Sequence, residues 1–264
     1  MLIAQITDCH VTAAGTLAYG VVDTNRFLAA AVAHLNALRP RPELVLITGD
    51  LVDGGRPDQY AMLRDLLAPL ELPYRLMPGN HDDREALRAA FADHGYLRAD
   101  GEFLHYTIED HPVRVIALDT VVPGRPEGEL CPRRLGWLAK RLAEAPERAT
   151  LIAMHHPPVD TGILHMDAMR CFGEAELGAL VEDYPCVVRI VAGHVHRPVV
   201  VGWRGTVVQI CPSTAHQVGL TLGPDDGGCA SDEPPAVALH LWRPGRGMVS
   251  HLSFIGDYRK TPFS

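Results

Sequence analysis

The sequence predicts an α/β fold in which two mixed sheets pack face to face with helices outside, and three observations predict it. Five short apolar runs, LIAQIT, ELVLITG, YRLMPG, ATLIAM and VVRIVAG, have strand length and are rich in Val, Ile and Leu, as strands buried on both faces are. In the first third of the chain these runs alternate with helical patterns in the order β-α-β-α-β, which builds a mainly parallel sheet. Beyond it a hairpin and several short strands add antiparallel neighbours.

The first run leads through the loop VTAAGTLAYG into a helix from Asp23 or Thr24 to Leu38. Both starting residues are good N-caps, and Phe27, Leu28, Ala31, Leu35 and Leu38 recur at helical spacing. Pro40 and Pro42 end it. The second run, a helix over 57–67, a strand over 74–77 and a helix beginning near Asp83 follow. Segments 103–108 and 113–118 flank Glu109-Asp110-His111-Pro112 and read as an antiparallel hairpin. A Gly/Pro-rich loop at 121–132 precedes a helix over 133–143, set by Leu135, Leu138 and Leu142. Strands at 150–154 and 187–192 complete the five runs, and 199–202, 207–210, 236–242 and 248–254 are shorter strands. Segment 223–235 reads as a solvated, mobile loop. With no repeat and no linker, 1–264 reads as a single domain.

Composition excludes several classes. The chain has 24 basic and 32 acidic residues, net −8, which argues against the basic face that a nucleic-acid polymer needs. Six cysteines without a C-x-x-C pair suggest free buried thiols, neither a disulfide framework nor a zinc ribbon. The first strand begins at Leu2, leaving no room for a secretory signal, and no apolar stretch reaches transmembrane length. The expectation is a cytoplasmic protein with no membrane partner.

Each of the five runs ends in metal-ligand residue types. In open α/β sheets ligands bind outside the carboxyl ends of such strands, so five ends bearing Asp, Asn and His can converge on one place. That convergence predicts a two-metal site, and such sites commonly hydrolyse phosphate esters. Asp8 and His10, two apart, would share one face of an extended segment, with Cys9 turned to the core. Asp50 follows a glycine and can bridge two cations; alone it would read as a cap. In Gly79-Asn80-His81-Asp82, Asn80 offers an amide oxygen, and His81 points elsewhere, to donate a proton or bind a phosphate oxygen. Asp82 would orient a histidine or the loop. His155-His156 offers one ligand, and His194-x-His196 repeats the alternate spacing.

The ordered set D-x-H, G-D, G-N-H-D, H and G-H-x-H over residues 8–196 resembles the signature of the calcineurin-like metallophosphoesterases. The resemblance implies a four-layer α/β/β/α sandwich. It implies a first metal on Asp8, His10, Asp50 and His196, and a second on Asp50, Asn80, His155 and His194, with Asp50 as the bridge. His81 would then assist at the substrate oxygens or leaving group. LAYGVVDTN, GRPDQY, HHPP and STAHQV look like the bacterial glycerophosphodiesterase and class III cyclic-nucleotide phosphodiesterase branch, which makes Tyr19 and His216 candidate substrate contacts.

Two divalent ions less the charges of Asp8, Asp50 and a bridging hydroxide leave a centre of about +1, suited to a phosphodiester monoanion attacked by metal-activated hydroxide. A nitrogen and oxygen ligand set without thiolate fits Mn²⁺, Fe²⁺, Co²⁺ or Zn²⁺. Expected substrates are 3',5'-cyclic nucleotides or glycerophosphodiesters. The alternatives are a nuclease, a phosphomonoesterase or a scaffold that has lost its chemistry, though a scaffold should lack several of these ligands. Segment 160–174, with Ile163, Leu164, Met166, Met169 and Phe172, reads equally as a lid, core packing or an interface. In the resembled branch that segment and the C-terminal part support a homodimer or larger assembly.

Overall fold

The structure, a computed structural model, describes residues 1–98, 101–223, 228–259 and 261–263. In its first third β1 (Leu2–Ile6), α1 (Thr24–Ala37), β2 (Leu44–Thr48), α2 (Pro57–Leu67), β3 (Tyr74–Met77) and α3 (Arg84–Ala90) realise the expected alternation. Asp23 caps α1 by accepting from the Arg26 N–H, and Asp83 caps α3 through Ala86 N–H. The middle holds β4 (Tyr106–Ile108), β5 (Arg114–Leu118), β6 (Gly128–Glu129), α4 (Pro132–Glu144) and β7 (Thr150–Met154). After it come α5 (Leu164–Asp167), β8 (Cys171–Phe172), α6 (Glu174–Asp183), β9 (Val187–Ala192), β10 (Val199–Trp203) and β11 (Thr206–Ile210). The chain closes with β12 (Gln217–Val218), β13 (Ala230–Ser231), β14 (Ala236–Arg243) and β15 (Gly247–Phe254).

One sheet has the order β15-β14-β1-β2-β3, the other β10-β11-β9-β7-β5-β4. The inner strands are parallel, and β14, β15, β10 and β4 are antiparallel to their neighbours. Strand alternation divides the core into three apolar layers. Ala4, Ile6, Val45 and Ile47 face α1 and α2, whose Leu28, Leu35, Tyr60 and Leu63 join the same cluster. Ile116, Ile152 and Ile190 face α4 and α6 through Leu138, Leu142 and Leu177. Ile3, Leu44, Leu46, Val115, Leu151 and Val191 fill the space between the sheets. This is the four-layer α/β/β/α sandwich.

Three expectations change. The first hairpin strand is shorter than 103–108, because the Leu104 N–H donates to the Asp119 carboxylate and the Asp119 N–H to the His105 ring, which replaces the ladder. Segment 174–183 is a helix beyond those expected. In 223–235, residues 224–227 lie outside the described residues, and Ala230–Ser231 pairs with Gln217–Val218 as a strand rather than loop. No helix among the described residues is long and apolar enough to cross a membrane.

Candidate metal centre

The carboxyl ends of β1, β2 and β3 in one sheet meet those of β7 and β9 in the other. The expectation that Asp8 and His10 share a face of an extended segment is wrong in its means. Both lie beyond β1 in left-handed conformation, Asp8 at φ 52° and His10 at 44°, as do Asp50 at 46°, His194 at 69° and His196 at 51°. Asp8 N–H donates to Gly49 O at 3.0 Å and His10 N–H to Asp50 O at 2.9 Å, so the two turns brace each other. Cys9 is fully buried, as expected. Two glycines make room: a Cβ on Gly79 would lie 2.2 Å from Asp50 Oδ1, and one on Gly193 2.0 Å from Thr7 Oγ1.

Asp8, His10, Asp50 and His196 place ligand atoms within 4.8 Å of one another. His196 Nε2 lies 3.3 Å from Asp8 Oδ1, while His10 Nε2 lies 3.1 Å from His196 Nε2 and 3.7 Å from Asp50 Oδ2. On the other side of Asp50, His155 Nε2 lies 3.3 Å from Asp50 Oδ2 and 3.1 Å from Asn80 Oδ1. His194 Nδ1 approaches that same amide oxygen at 3.1 Å. Asp50 therefore faces both groups.

The donor set suits divalent cations. His155 Nδ1 donates to Thr48 O at 2.8 Å and His196 Nδ1 to His216 O at 3.0 Å, which leaves each Nε2 lone pair aimed inward. Electrostatics agree. Burial opposes charge on Asp8, but His196 and then His155 overcome it and hold the carboxyl at about 2. Burial likewise opposes charge on His155, yet Asp50 holds that imidazole up at about 9, with a proton where a cation can sit.

His156 is close to His155 and His194, but both its nitrogens are engaged, with Thr120 Oγ1 at 2.7 Å and Pro126 O at 3.1 Å. It has no lone pair left for a metal. Asp82 orients the loop and, among the described residues, no histidine: it accepts from Gly79 N–H, Leu51 N–H and Tyr60 O–H. His81 turns its Nδ1 to Asp53 O at 2.8 Å and meets the His10 ring edge to face, 4.6 Å between centroids. Its backbone N–H donates to Asp50 Oδ1 at 2.9 Å.

The sequence reading missed Asp53, whose carboxylate lies 3.5 Å from His10 Nδ1, together with Thr120 behind His156 and Thr24 under His10 O. Asp53, three residues after Asp50, carried a local signal; the two threonines carried none. Tyr19 and His216 meet edge to face, 5.2 Å between centroids. The His216 ring lies 4.7 Å from that of His196, and its Nδ1 is buried with no hydrogen-bond partner among the described residues. Both line a cavity of about 330 Å³ beside the cluster, with His165, Val218 and Cys229.

The sequence model described as Calcineurin-like phosphoesterase matches residues 1–198. A chain of Arcobacter nitrofigilis named a probable glycerophosphodiester phosphodiesterase is 37% identical over 259 residues, covering 98% of this chain and 94% of its own. The 3',5'-cyclic adenosine monophosphate phosphodiesterase of Escherichia coli strain K12 is 33% identical over 218 residues, 81% of this chain and 76% of its own. In fold, the dimetal phosphatase of Danio rerio superposes with a TM-score of 0.64 over 97% of this chain and 99% of its own, at 14% identity. The protein belongs to the calcineurin-like phosphoesterase family.

Proposed function

We propose that this chain is a metal-dependent phosphodiesterase of small diesters, glycerophosphodiesters or 3',5'-cyclic nucleotides, that works with two divalent transition-metal ions. The observation that carries the reading is a pair of buried Asp/His groups that share Asp50 at converging strand ends. Asp8, His10, Asp50 and His196 would hold one ion, and Asp50, Asn80, His155 and His194 the other. Mn, Fe, Co and Zn all match such donors. When bound, the ions supply Lewis acidity toward the phosphoryl group and acidify water.

The chain's own groups do the rest. Asp53 O holds the His81 ring by Nδ1, which leaves Nε2 as the proton donor to the departing alkoxide. Burial opposes a proton on His81, but Asp50 and the Asp53 carbonyl raise its affinity above the usual imidazole range, as a donor needs. His216 and Tyr19, which line the adjoining cavity, contact the substrate there.

A panel of glycerophosphoethanolamine, cyclic AMP, bis-p-nitrophenyl phosphate, a monoester and single-stranded DNA, with and without added Mn²⁺, tests the reading. Metal-dependent turnover of small diesters is expected; preference for the monoester or DNA would refute it. A cytoplasmic site accords with the six free cysteines, although only Cys9, Cys171 and Cys211 are buried as expected, Cys131 and Cys186 being half-buried and Cys229 exposed. Exposed Leu164, Phe172, Phe254 and Tyr258 favour a homodimer or larger assembly through 160–174 and the C-terminal part, which sedimentation can check. Residues 1–264 act as one domain in this reading.

A further inference from the structure

One polar cluster interrupts the apolar layer between the sheets. Gln5 projects from β1 into it and is fully buried. Its Nε2 donates to Thr48 Oγ1 at 2.9 Å, in its own sheet, and to Ala192 O at 3.0 Å, in the other. Its Oε1 lies 3.1 Å from His240 Nε2, and His240 Nδ1 lies 2.9 Å from the Ser250 hydroxyl. Burial pushes the His240 imidazole down to about 3, so the ring is neutral and carries one proton. Ala192 O can only accept, so the Gln5 amide turns Nε2 to it and Oε1 to His240; His240 Nε2–H then donates to Oε1 and Nδ1 accepts from Ser250.

Both acceptors of that amide stand at roots of the metal cluster. Thr48 precedes Gly49-Asp50, and its carbonyl accepts from His155 Nδ1 at 2.8 Å. Ala192 precedes Gly193-His194, and Gly193 N–H donates to His155 O at 2.9 Å. The fork formed by Gln5 therefore ties together, beneath the site, the strand that leads to Asp50 and the strand that leads to His194.

We infer that Gln5, its amide held by His240 and Ser250, is a positioning residue that sets the spacing between Asp50, beyond the end of β2, and His194 and His196, beyond the end of β9. Its side-chain hydrogen bonds among the described residues go to Thr48, Ala192 and His240, so it acts on the ligands through Thr48 and Ala192. The inference rests on the reading that the Asp/His cluster holds metal ions. Groups that orient metal ligands are worth roughly 10–100-fold in affinity or activity, and Gln5 stands one bond further out, so the low end applies.

Gln5→Met keeps length and approximate volume while removing both donors. In cobalt(II)-loaded full-length protein, a change in ligand spacing alters the visible absorption band, which general destabilisation does not. The expected result is an altered band, cobalt affinity lower by about tenfold and kcat on bis-p-nitrophenyl phosphate lower by about tenfold. KM should stay within about twofold, because no substrate contact changes. Val115→Ala in the same layer is the control for lost packing: it should lower Tm and leave the band unchanged. A Gln5→Met protein with the wild-type band and cobalt affinity, whatever its Tm, overturns the inference. Should Gln5→Met fail to fold, Ser250→Ala carries the test, since it removes one hydroxyl from the edge strand β15. A smaller band change in the same direction supports the role, and an unchanged band overturns it. Wild-type protein that takes up no cobalt would sink the metal reading itself and this inference with it, an outcome that the uptake measurement separates from the others.

Discussion

Asp119→Asn should destabilise the protein sharply, because it removes the charge from a fully buried carboxylate that accepts four hydrogen bonds. Asp119 is fully buried and accepts from Arg84 Nε at 2.6 Å, Arg84 Nη2 at 2.8 Å, Leu104 N–H at 2.9 Å and Val121 N–H at 2.9 Å. The Arg84 side chain is only 10% exposed, so the substitution leaves a guanidinium facing a neutral amide away from water. Breaking one partner of such a pair costs about 3–5 kcal/mol. For a domain of this size that is a fall in Tm of roughly 6–20 °C. The effect depends on pH. Burial pushes the Asp119 carboxyl up, but the Arg84 contacts and then the two backbone N–H groups override it and hold it below the ordinary carboxylate value. A depressed carboxyl stabilises the fold fully above the unfolded value of about 3.9, and the gain is lost as pH falls through the folded one. Denaturant unfolding of both proteins from pH 7 to pH 3 should therefore show a constant difference above about pH 5 that shrinks below about pH 4. A Tm change under about 2 °C, or a difference that persists undiminished into acid, would refute the account of this pair.

Further outcomes concern the centre. His81→Ala should lower kcat by roughly 10²–10⁴-fold with bound metal retained, and an unchanged rate would remove it as the proton donor. His155→Ala should lose bound metal, whereas His156→Ala should keep it and lose only stability; equal losses on metal analysis would contradict the engaged nitrogens of His156. Gly79→Ala should abolish metal uptake, because its Cβ would lie 2.2 Å from Asp50 Oδ1, and normal uptake would mean that the loop yields. His216→Ala should raise KM by about tenfold, the loss of one hydrogen bond to a charged group, while a change confined to kcat would place His216 outside binding.

Strand ends are legible in this sequence because β2, β5 and β7 are buried along their whole length and so read as unbroken apolar runs. Asp50 in its Gly-Asp turn and Asn80 in Gly-Asn-His-Asp follow directly, since a parallel sheet gathers such ends on one side. The local path of Asp8 and His10 is not legible in that way. The spacing D-x-H fits an extended segment, and only the long-range bonds to Gly49 and Asp50 impose the left-handed turns. Helix α6 escapes notice behind the aliphatic stretch before it, although Glu174 and Glu176 in its first turn and Leu177, Leu180 and Val181 at helical spacing were available. What separates His155 from His156 is a threonine 36 residues away, which no local pattern carries.

Five side chains of the metal cluster sit on left-handed backbone, and none of the five is glycine. Each such residue costs about 1–2 kcal/mol relative to ordinary geometry, with aspartate at the lower end. The tension thus gathered in one small region is comparable to the net stability of a whole domain, which is about 5–15 kcal/mol. The sandwich beneath acts as a clamp that holds this spring compressed. Captured cations would share that load, so chelation should soften the protein first at the turns around Asp8 and His194, and glycine at His10 should make the metal-free protein more robust while making it useless as a catalyst.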